Sequence, residues 1–433
     1  MEGTAGDLIS LPDELLIKIF NFLNYDDLCR LSSCCHRLHT LSQHEPLWKE
    51  FCQKAWLDED MKHSQTSWHD NFRGWFNEWG RYVTCYATVR TLWNRIEATL
   101  KERCPNVLLS LEGPAIEQEL SVVEAQLPCC LPPEVRCSYR IHKGQVLNEA
   151  VGGLFGSVVV YQHHSSEYLM TLATQQMLSM IETMIEEHNS VILPLTVCPF
   201  SGMTQGLCLQ NMPGLQAGQI IYHVPSTQGW SDTEPLGYFL TANSFLEWLT
   251  ALADQLVNPD YTVLGGRFYK FYHNPSYVAT TNDVRVSVST TFVPELSRVE
   301  RRRQLLTLFA YRITLSMDEN APTSQSCKLS HRHWEVTDAR GKTEVVDGEG
   351  VVGQCPVIKP GSKFSWISCT SFDTPYGDMK GWFKVHNLQS GDQYNIICPC
   401  FHMESLPVIR VDHLDDTEDE IGSQGDAGSD SIT

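Results

Sequence analysis

No CxxC pair occurs in this chain, although it carries 16 Cys in 433 residues. Thiol pairs at that spacing normally open a zinc finger or RING, so neither is expected. The cysteines show no regular framework spacing. The N-terminus, MEGTAGDLIS, has no basic region leading into an apolar core, so no signal peptide is expected. The thiols are therefore read as free, in a reducing compartment. Long apolar runs are also missing. The most apolar, 150-AVGGLFGSVVVY-161, is too short and too glycine-rich to span a bilayer. Positive charge is scarce: 32 Lys and Arg face 52 Asp and Glu, a net charge of -20. That balance disfavours general affinity for nucleic acid or an anionic membrane. There is no Gly-x-Ser-x-Gly, no His-Glu-x-x-His and no P-loop. No Cys stands in an electropositive setting that would activate it. The chain is expected to be non-catalytic and to need no cofactor.

What is present divides by period. Apolar content of 42% and a generous aromatic supply suit about three domains. Residues 10–52 read as short helices. Ser10-Leu11-Pro12-Asp13 is a start signal, and Leu15, Leu16, Ile19, Phe20 and Leu23 recur at helical spacing. Asn24-Tyr25 breaks the run, Asp26-Asp27 starts a second helix, Cys35, Leu38 and Leu41 suit a third, and Pro46 opens a fourth with Leu47, Trp48 and Phe51. Residues 67–101 look helical and aromatic. A mixed region at 106–262 has helices near 115–127 and 242–256, a strand near 152–161, and loops with short strands over 200–235. From about 276 the period becomes two, with strands at 284–292, 309–317, 332–338, 363–372, 380–386, 394–403 and 407–411. Many short strands without intervening helices predict a β-sandwich. After Arg410 come eight acids and no Lys or Arg, which leaves -12 for residues 1–411 and predicts a disordered acidic tail over 412–433.

The N-terminal helices hold more apolar surface than about 40 residues hide in a core of their own. Either the following helices cover the excess, or another protein docks on it. Leaving several large apolar side chains wet costs about 1.5–3 kcal/mol each.

The run 9-ISLPDELLIKIFNFLNYDDLCRLSSCCHRLHTLSQHEPLWKEFC-52 resembles an F-box. It carries Leu-Pro-x-Glu-Leu-Leu as Leu11, Pro12, Glu14, Leu15 and Leu16. The Ile-Phe-x-Phe-Leu core is Ile19, Phe20, Phe22 and Leu23, followed by Asp27-Leu28 and Leu47-Trp48. The family's Cys-Arg-x-Trp is replaced by Cys35-His36-Arg37-Leu38, in which Leu38 still supplies an apolar knob. The resemblance implies docking on the Skp adaptor of SCF ubiquitin ligases, and through it cullin and RING subunits. The matching adaptor-binding positions are Leu11, Pro12, Leu15, Ile19, Leu23 and Leu28.

Residues 116–145 look like the start of a SUKH-type α/β domain, with Leu131-Pro132, Glu134, Tyr139 and Lys143-Gly144, and with Gly153-Leu154-Phe155-Gly156 as strand entry. Lys143 departs from the family's usual Asn. Residues 277–411 resemble an ApaG domain, an immunoglobulin-like sandwich, through 284-VRVSVSTTFVPE-295, 334-WEVTDARG-341, 348-GEGVVGQCPVIKPG-361 and 366-WISCTSFDTPYGDMKGWF-383. The expected organisation is an F-box at 9–55, a helical linker at 56–104, the SUKH-type domain at 105–262, the ApaG sandwich at 276–411 and the tail.

Gly348-x-Gly350-x-x-Gly353 has the spacing of a dinucleotide loop, but Pro356 and Pro360 follow where a helix would have to start. Tight turns explain the glycines better; an anion-binding surface loop with Lys359 and Lys363 nearby is the alternative. Cys398, Cys400 and His402 alternate along one predicted strand and would share a face. Core packing is the simpler reading, and no metal site is expected. Arg298 with Arg301, Arg302 and Arg303 reads as a solvated loop, with nuclear import as the second reading.

The resemblances imply a substrate-recognition subunit of an SCF-type ubiquitin ligase in nucleus and cytoplasm, directing protein targets to proteasomal degradation. The alternatives are a scaffold that binds clients without ubiquitination, and an anion or nucleotide sensor through Gly348, Gly350 and Gly353.

Overall fold

The computed structural model describes residues 8–160, 163–188, 191–223, 237–299 and 305–410. Arg301, Arg302, Arg303 and the acidic tail lie outside them. The chain forms two compact units: residues 1–95, 114–116 and 131–142 in one, and 96–113, 117–130 and 143–433 in the other.

The first unit is helical. Its opening helices are α1 (Asp13–Phe20), α2 (Tyr25–Ser32), α3 (His36–Ser42), α4 (Glu45–Trp56) and α5 (Trp68–Trp79). Ser10 does not cap α1 as its sequence suggests. It closes a separate 3-10 turn, and Pro12 stands at the N-cap without a side-chain hydrogen bond. The caps that form are Asn24, whose Oδ1 accepts from Asp27 N at 2.8 Å, and Ser67, which accepts from Asp70 N at 2.9 Å. Aromatic packing joins α4 to α5, with Trp56 and Trp75 stacked at 5.9 Å.

A buried carboxylate fixes the turn between α4 and α5. Asp58 is 0% exposed. Its Oδ2 accepts from Trp75 Nε1 at 2.6 Å, Asn71 Nδ2 at 2.9 Å and Lys62 N at 3.0 Å, and its Oδ1 accepts from Asp60 N at 3.0 Å. Burial alone would push its pKa up, but these four donors hold it below the usual carboxylate range. The sign of the linkage follows. Asp58 stabilises the fold above its unfolded pKa of about 3.9, and that stability disappears as pH falls through the lower folded value. Asp58→Asn turns an acceptor toward four donors as an amide with only one oxygen. It is expected to cost about 2–3 kcal/mol near pH 7, read as the shift in urea midpoint, and to flatten the loss of stability below pH 4. An unchanged midpoint would refute this assignment.

The second unit contains an α/β region and a β-sandwich. Three adjacent antiparallel strands, Val284–Phe292, Leu305–Met317 and Lys363–Phe372, form much of one sandwich sheet. The facing sheet runs Thr343–Glu349, Cys327–Asp338, Tyr376–Asn387, Gln393–Glu404. Val284, Val286 and Val288 meet Trp334, Phe383 and Phe401 in the core between them, as period two predicts.

Two features depart from separate middle and C-terminal domains. The first sandwich sheet continues through Arg267–Tyr272 into Ser157–Val160 and His163–Ser166, so one nine-stranded sheet serves both regions. The last strand, Val408–Arg410, leaves the sandwich and pairs with Gly237–Ala242 of the α/β region. Among the helices of that region, Glu117–Glu124 and Phe245–Val257 were expected, and Gln175–His188 was not. Gly153 is required by close approach, because a Cβ there would lie 1.9 Å from Glu167 O.

Candidate functional site

Helix α1 has two apolar stripes. Leu16 and Phe20, one turn apart, are 0% exposed and hold it to the bundle. Leu15 and Ile19, also one turn apart, are 44% and 37% exposed. Phe22 just beyond the helix is 89% exposed, and Ile9 just before it is 45% exposed. Of the other expected docking positions, Pro12 is exposed, and Leu11 and Leu23 are half-buried. Leu28, also an expected docking position, is 0% exposed and faces back into the bundle from α2 rather than outward with Leu15 and Ile19. Phe22 and Ile9 were not among the expected adaptor-binding residues, although Phe22 stands within the quoted motif.

Arg37 secures the approach to α1. Its guanidinium donates to Leu11 O at 2.8 Å and Asp13 Oδ1 at 3.0 Å, and also bonds Ile9 O. The segment with the departed Cys-Arg-x-Trp motif thus orders the stretch before α1 by a polar clasp, while Leu38 beside it is buried.

The second unit places the remaining candidates. Gly348 lies on the strand Thr343–Glu349, and no helix follows; the next element is the short strand Val357–Ile358. Val351 and Gln354 close a tight turn through reciprocal backbone bonds, with Val352 and Gly353 at φ of 45° and 76°. Arg332 Nη1 donates to Glu349 O and Gly350 O at 2.9 and 3.0 Å. The loop therefore has no helix dipole to hold a pyrophosphate.

Cys398, Cys400 and His402 do not share a face. The register shifts opposite Met379 and Gly381, so a bulge at Pro399 turns Cys398 into the core and leaves Cys400 and His402 outside. His402 Nδ1 pairs with Asp378 Oδ1, and with Cys400 Sγ these ligand atoms lie within 4.8 Å of one another. A cation could be held by that trio. The Cys400 thiol, however, is pushed up by burial and by Asp378, which favours its protonated, non-ligating form.

A buried polar hub at Glu167 was not foreseen. This side chain is 1% exposed. Its Oε1 accepts from Thr196 Oγ1 at 2.5 Å and Gln205 Nε2 at 2.6 Å; its Oε2 accepts from Lys270 Nζ at 2.7 Å and Tyr222 OH at 3.1 Å. Gln205 Oε1 in turn accepts from Trp248 Nε1 at 2.8 Å. Burial disfavours the Lys270 charge, but Glu167 and its neighbours hold its pKa well above the ordinary value. A cavity of about 310 Å³ adjoins the hub, lined by Tyr222, Trp248, Lys270, Phe155 and Phe292 among others.

Known families match along the chain in sequence order. An F-box-like model matches residues 8–54, the SMI1/KNR4 family (SUKH-1) residues 114–251, and the ApaG domain residues 298–387. F-box only protein 3 of Bos taurus is 35% identical over 418 residues, covering 95% of this chain and 86% of the relative. The Homo sapiens protein of that name is 36% identical over 412 residues, covering 93% and 84%. The F-box protein SKIP16 of Arabidopsis thaliana is 27% identical over 420 residues, covering 88% and 92%. With an N-terminal helical F-box region, a middle α/β region and a C-terminal ApaG β-sheet domain, this chain belongs to the F-box only protein 3 family.

Proposed function

We propose that this chain is the substrate-recognition subunit of an SCF-type ubiquitin ligase. Leu15, Ile19 and Phe22 form the centre of the Skp-docking face, with Pro12 and Ile9 at its edge. The observation that carries this reading is the double apolar character of α1: Leu16 and Phe20 already serve its own core, yet Leu15 and Ile19 stay exposed beside Phe22. The α/β and β-sandwich regions then bring protein clients to the transfer machinery, which leads to their ubiquitination and degradation. The contribution is proximity, raising a client lysine's effective concentration at a thioester held by other subunits. All sixteen cysteines are free, which fits the reducing milieu of nucleus and cytoplasm.

Reconstituted ubiquitin transfer to a captured client tests this. The wild-type chain with adaptor, cullin and RING subunits is expected to modify the client. A chain carrying Ile19→Asp and Phe22→Asp should still capture it and transfer no ubiquitin. A client captured by the assembled wild-type complex but left unmodified would replace this reading with that of a scaffold.

A further inference from the structure

The outer face of the sandwich sheet has a charge pattern that the rest of this acidic chain does not predict. The strands Val284–Phe292, Leu305–Met317 and Lys363–Phe372 lie side by side and contain no Asp or Glu. Val284, Val286, Val288, Ile313 and Leu315 face the core, so Arg285, Ser287, Ser289, Arg312, Thr314 and Ser316 face away.

Register then sets who meets whom. Ser287 pairs with Thr314, and Thr314 with Ser365, which gives a row of three hydroxyls across the sheet. Thr314 Oγ1 and Ser365 Oγ are 2.8 Å apart. One row along, Arg285 and Lys363 stand on either side of Ser316. One row the other way, Arg312 stands opposite Ser289. Rows two residues apart are about 7 Å from each other. Long cationic side chains therefore border the hydroxyl row from both directions.

A cavity of about 140 Å³ opens over this row, lined by Arg285, Arg312, Lys363, Ser287, Thr314 and others. It is smaller than the roughly 300 Å³ at which pockets for whole small molecules begin, so it suits a group of a few atoms. Among the described residues none of the three cations forms an ion pair. Arg312 has only a long contact to Ser365 Oγ, at 3.4 Å, although it is half-buried. Burial lowers its pKa without a carboxylate to restore it. Partly buried guanidinium groups are normally matched by an anion. Hydroxyl and guanidinium donors around a small concave site suit a tetrahedral oxyanion, which accepts several charge-assisted hydrogen bonds at once.

We propose that Arg285, Arg312 and Lys363, over Ser287, Thr314 and Ser365, form a binding site for a phosphoryl group. The site is remote in sequence from Gly348, Gly350 and Gly353, uses side chains rather than a loop, and does not depend on the adaptor-docking reading. The phosphoryl group comes either from free phosphate or from a phosphorylated side chain of a protein client; the chemistry is the same.

Calorimetric titration of the full chain at low salt distinguishes the sources. One arm uses inorganic phosphate, a second a short phosphoserine peptide, and a third its unphosphorylated twin. At least one phosphorylated probe is expected to bind, the unphosphorylated peptide not. Arg312→Gln with Lys363→Gln should weaken binding at least tenfold. Arg285→Gln, at an exposed position that leaves the core untouched, should weaken it severalfold with unchanged melting. Lys49→Gln, in the first unit, should have no effect. Binding of the peptide well above that of phosphate assigns the site to client recognition; equal binding assigns it to the free anion. Failure of both phosphorylated probes to bind, or wild-type affinity in both the Arg285→Gln and the Arg312→Gln/Lys363→Gln chains, overturns the proposal.

Discussion

Replacing Ile19 with Asp is expected to abolish co-purification of the Skp-type adaptor while leaving the thermal midpoint within about 2 °C of wild type. The two halves of that expectation rest on the same helix. Ile19 is 37% exposed and its neighbour Phe20 is 0% exposed, so an acid at 19 turns to water in the free chain. In the docked state it would be enclosed by apolar surface. The loss is about 1.5–3 kcal/mol of apolar burial plus the cost of an unpaired carboxylate, on the order of 2 kcal/mol or more. Together these weaken binding roughly a thousandfold, since about 1.4 kcal/mol is tenfold. Phe22→Ala, at 89% exposure, isolates the apolar part and should cost ten- to a hundredfold. Leu16→Asp is the contrast: at 0% exposure it should unfold the helical unit, and its loss of binding would say nothing about docking. Adaptor capture by Ile19→Asp at wild-type strength would remove the docking face.

How much of this was legible beforehand depends on the range of the interactions. Helical period alone could not tell Leu15 and Ile19 from Leu16 and Phe20, because both pairs recur at the same spacing; the F-box resemblance picked out Leu15 and Ile19, and exposure separates the two pairs. Leu28 was assigned to the docking face because the motif contains it, whereas the turn at Asn24 points it inward. In the sandwich, alternation placed Val284, Val286 and Val288 in the core. Alternation also misplaced Cys398, since Pro399 forms a bulge and one inserted residue reverses every face beyond it. Strand partners are beyond local pattern altogether. The run 407-PVIRV-411 reads as one more sandwich strand, but Val408, Ile409 and Arg410 pair with Phe239, Tyr238 and Gly237. Register hid the row of Ser287, Thr314 and Ser365 in the same way: each residue was legible as outward-facing, and only pairing brings them together.

Glu167 is the plainest case of a long-range feature, and its loss is expected to cost much of the stability of its unit. Its four donors come from residues 196, 205, 222 and 270, so no window of sequence contains the site. Glu167→Ala removes the acceptor for all four and leaves the Lys270 ammonium without its counter-charge, its side chain only 16% exposed. Breaking one partner of a buried pair costs about 3–5 kcal/mol. That is a large share of the 5–15 kcal/mol by which domains are ordinarily stable. Trp248 reports the change, because its indole N–H is tied to Gln205 and through it to the hub. The urea midpoint followed by tryptophan fluorescence should fall accordingly at unchanged slope. The pair, rather than lost packing, is the cause if Lys270→Met partly rescues Glu167→Gln. The double variant should be about 1–3 kcal/mol more stable than the two single losses predict. The pH dependence has a definite sign. Lys270 has its pKa raised by folding, so its contribution is complete below the unfolded value of about 10.4 and is lost only as pH rises through the higher folded value. Wild-type stability should therefore hold to about pH 10 and decline above it, and the Glu167→Gln chain should lack that alkaline decline. A Glu167→Ala chain that loses less than about 1 kcal/mol would mean that Lys270 finds water or another acceptor once the carboxylate is gone.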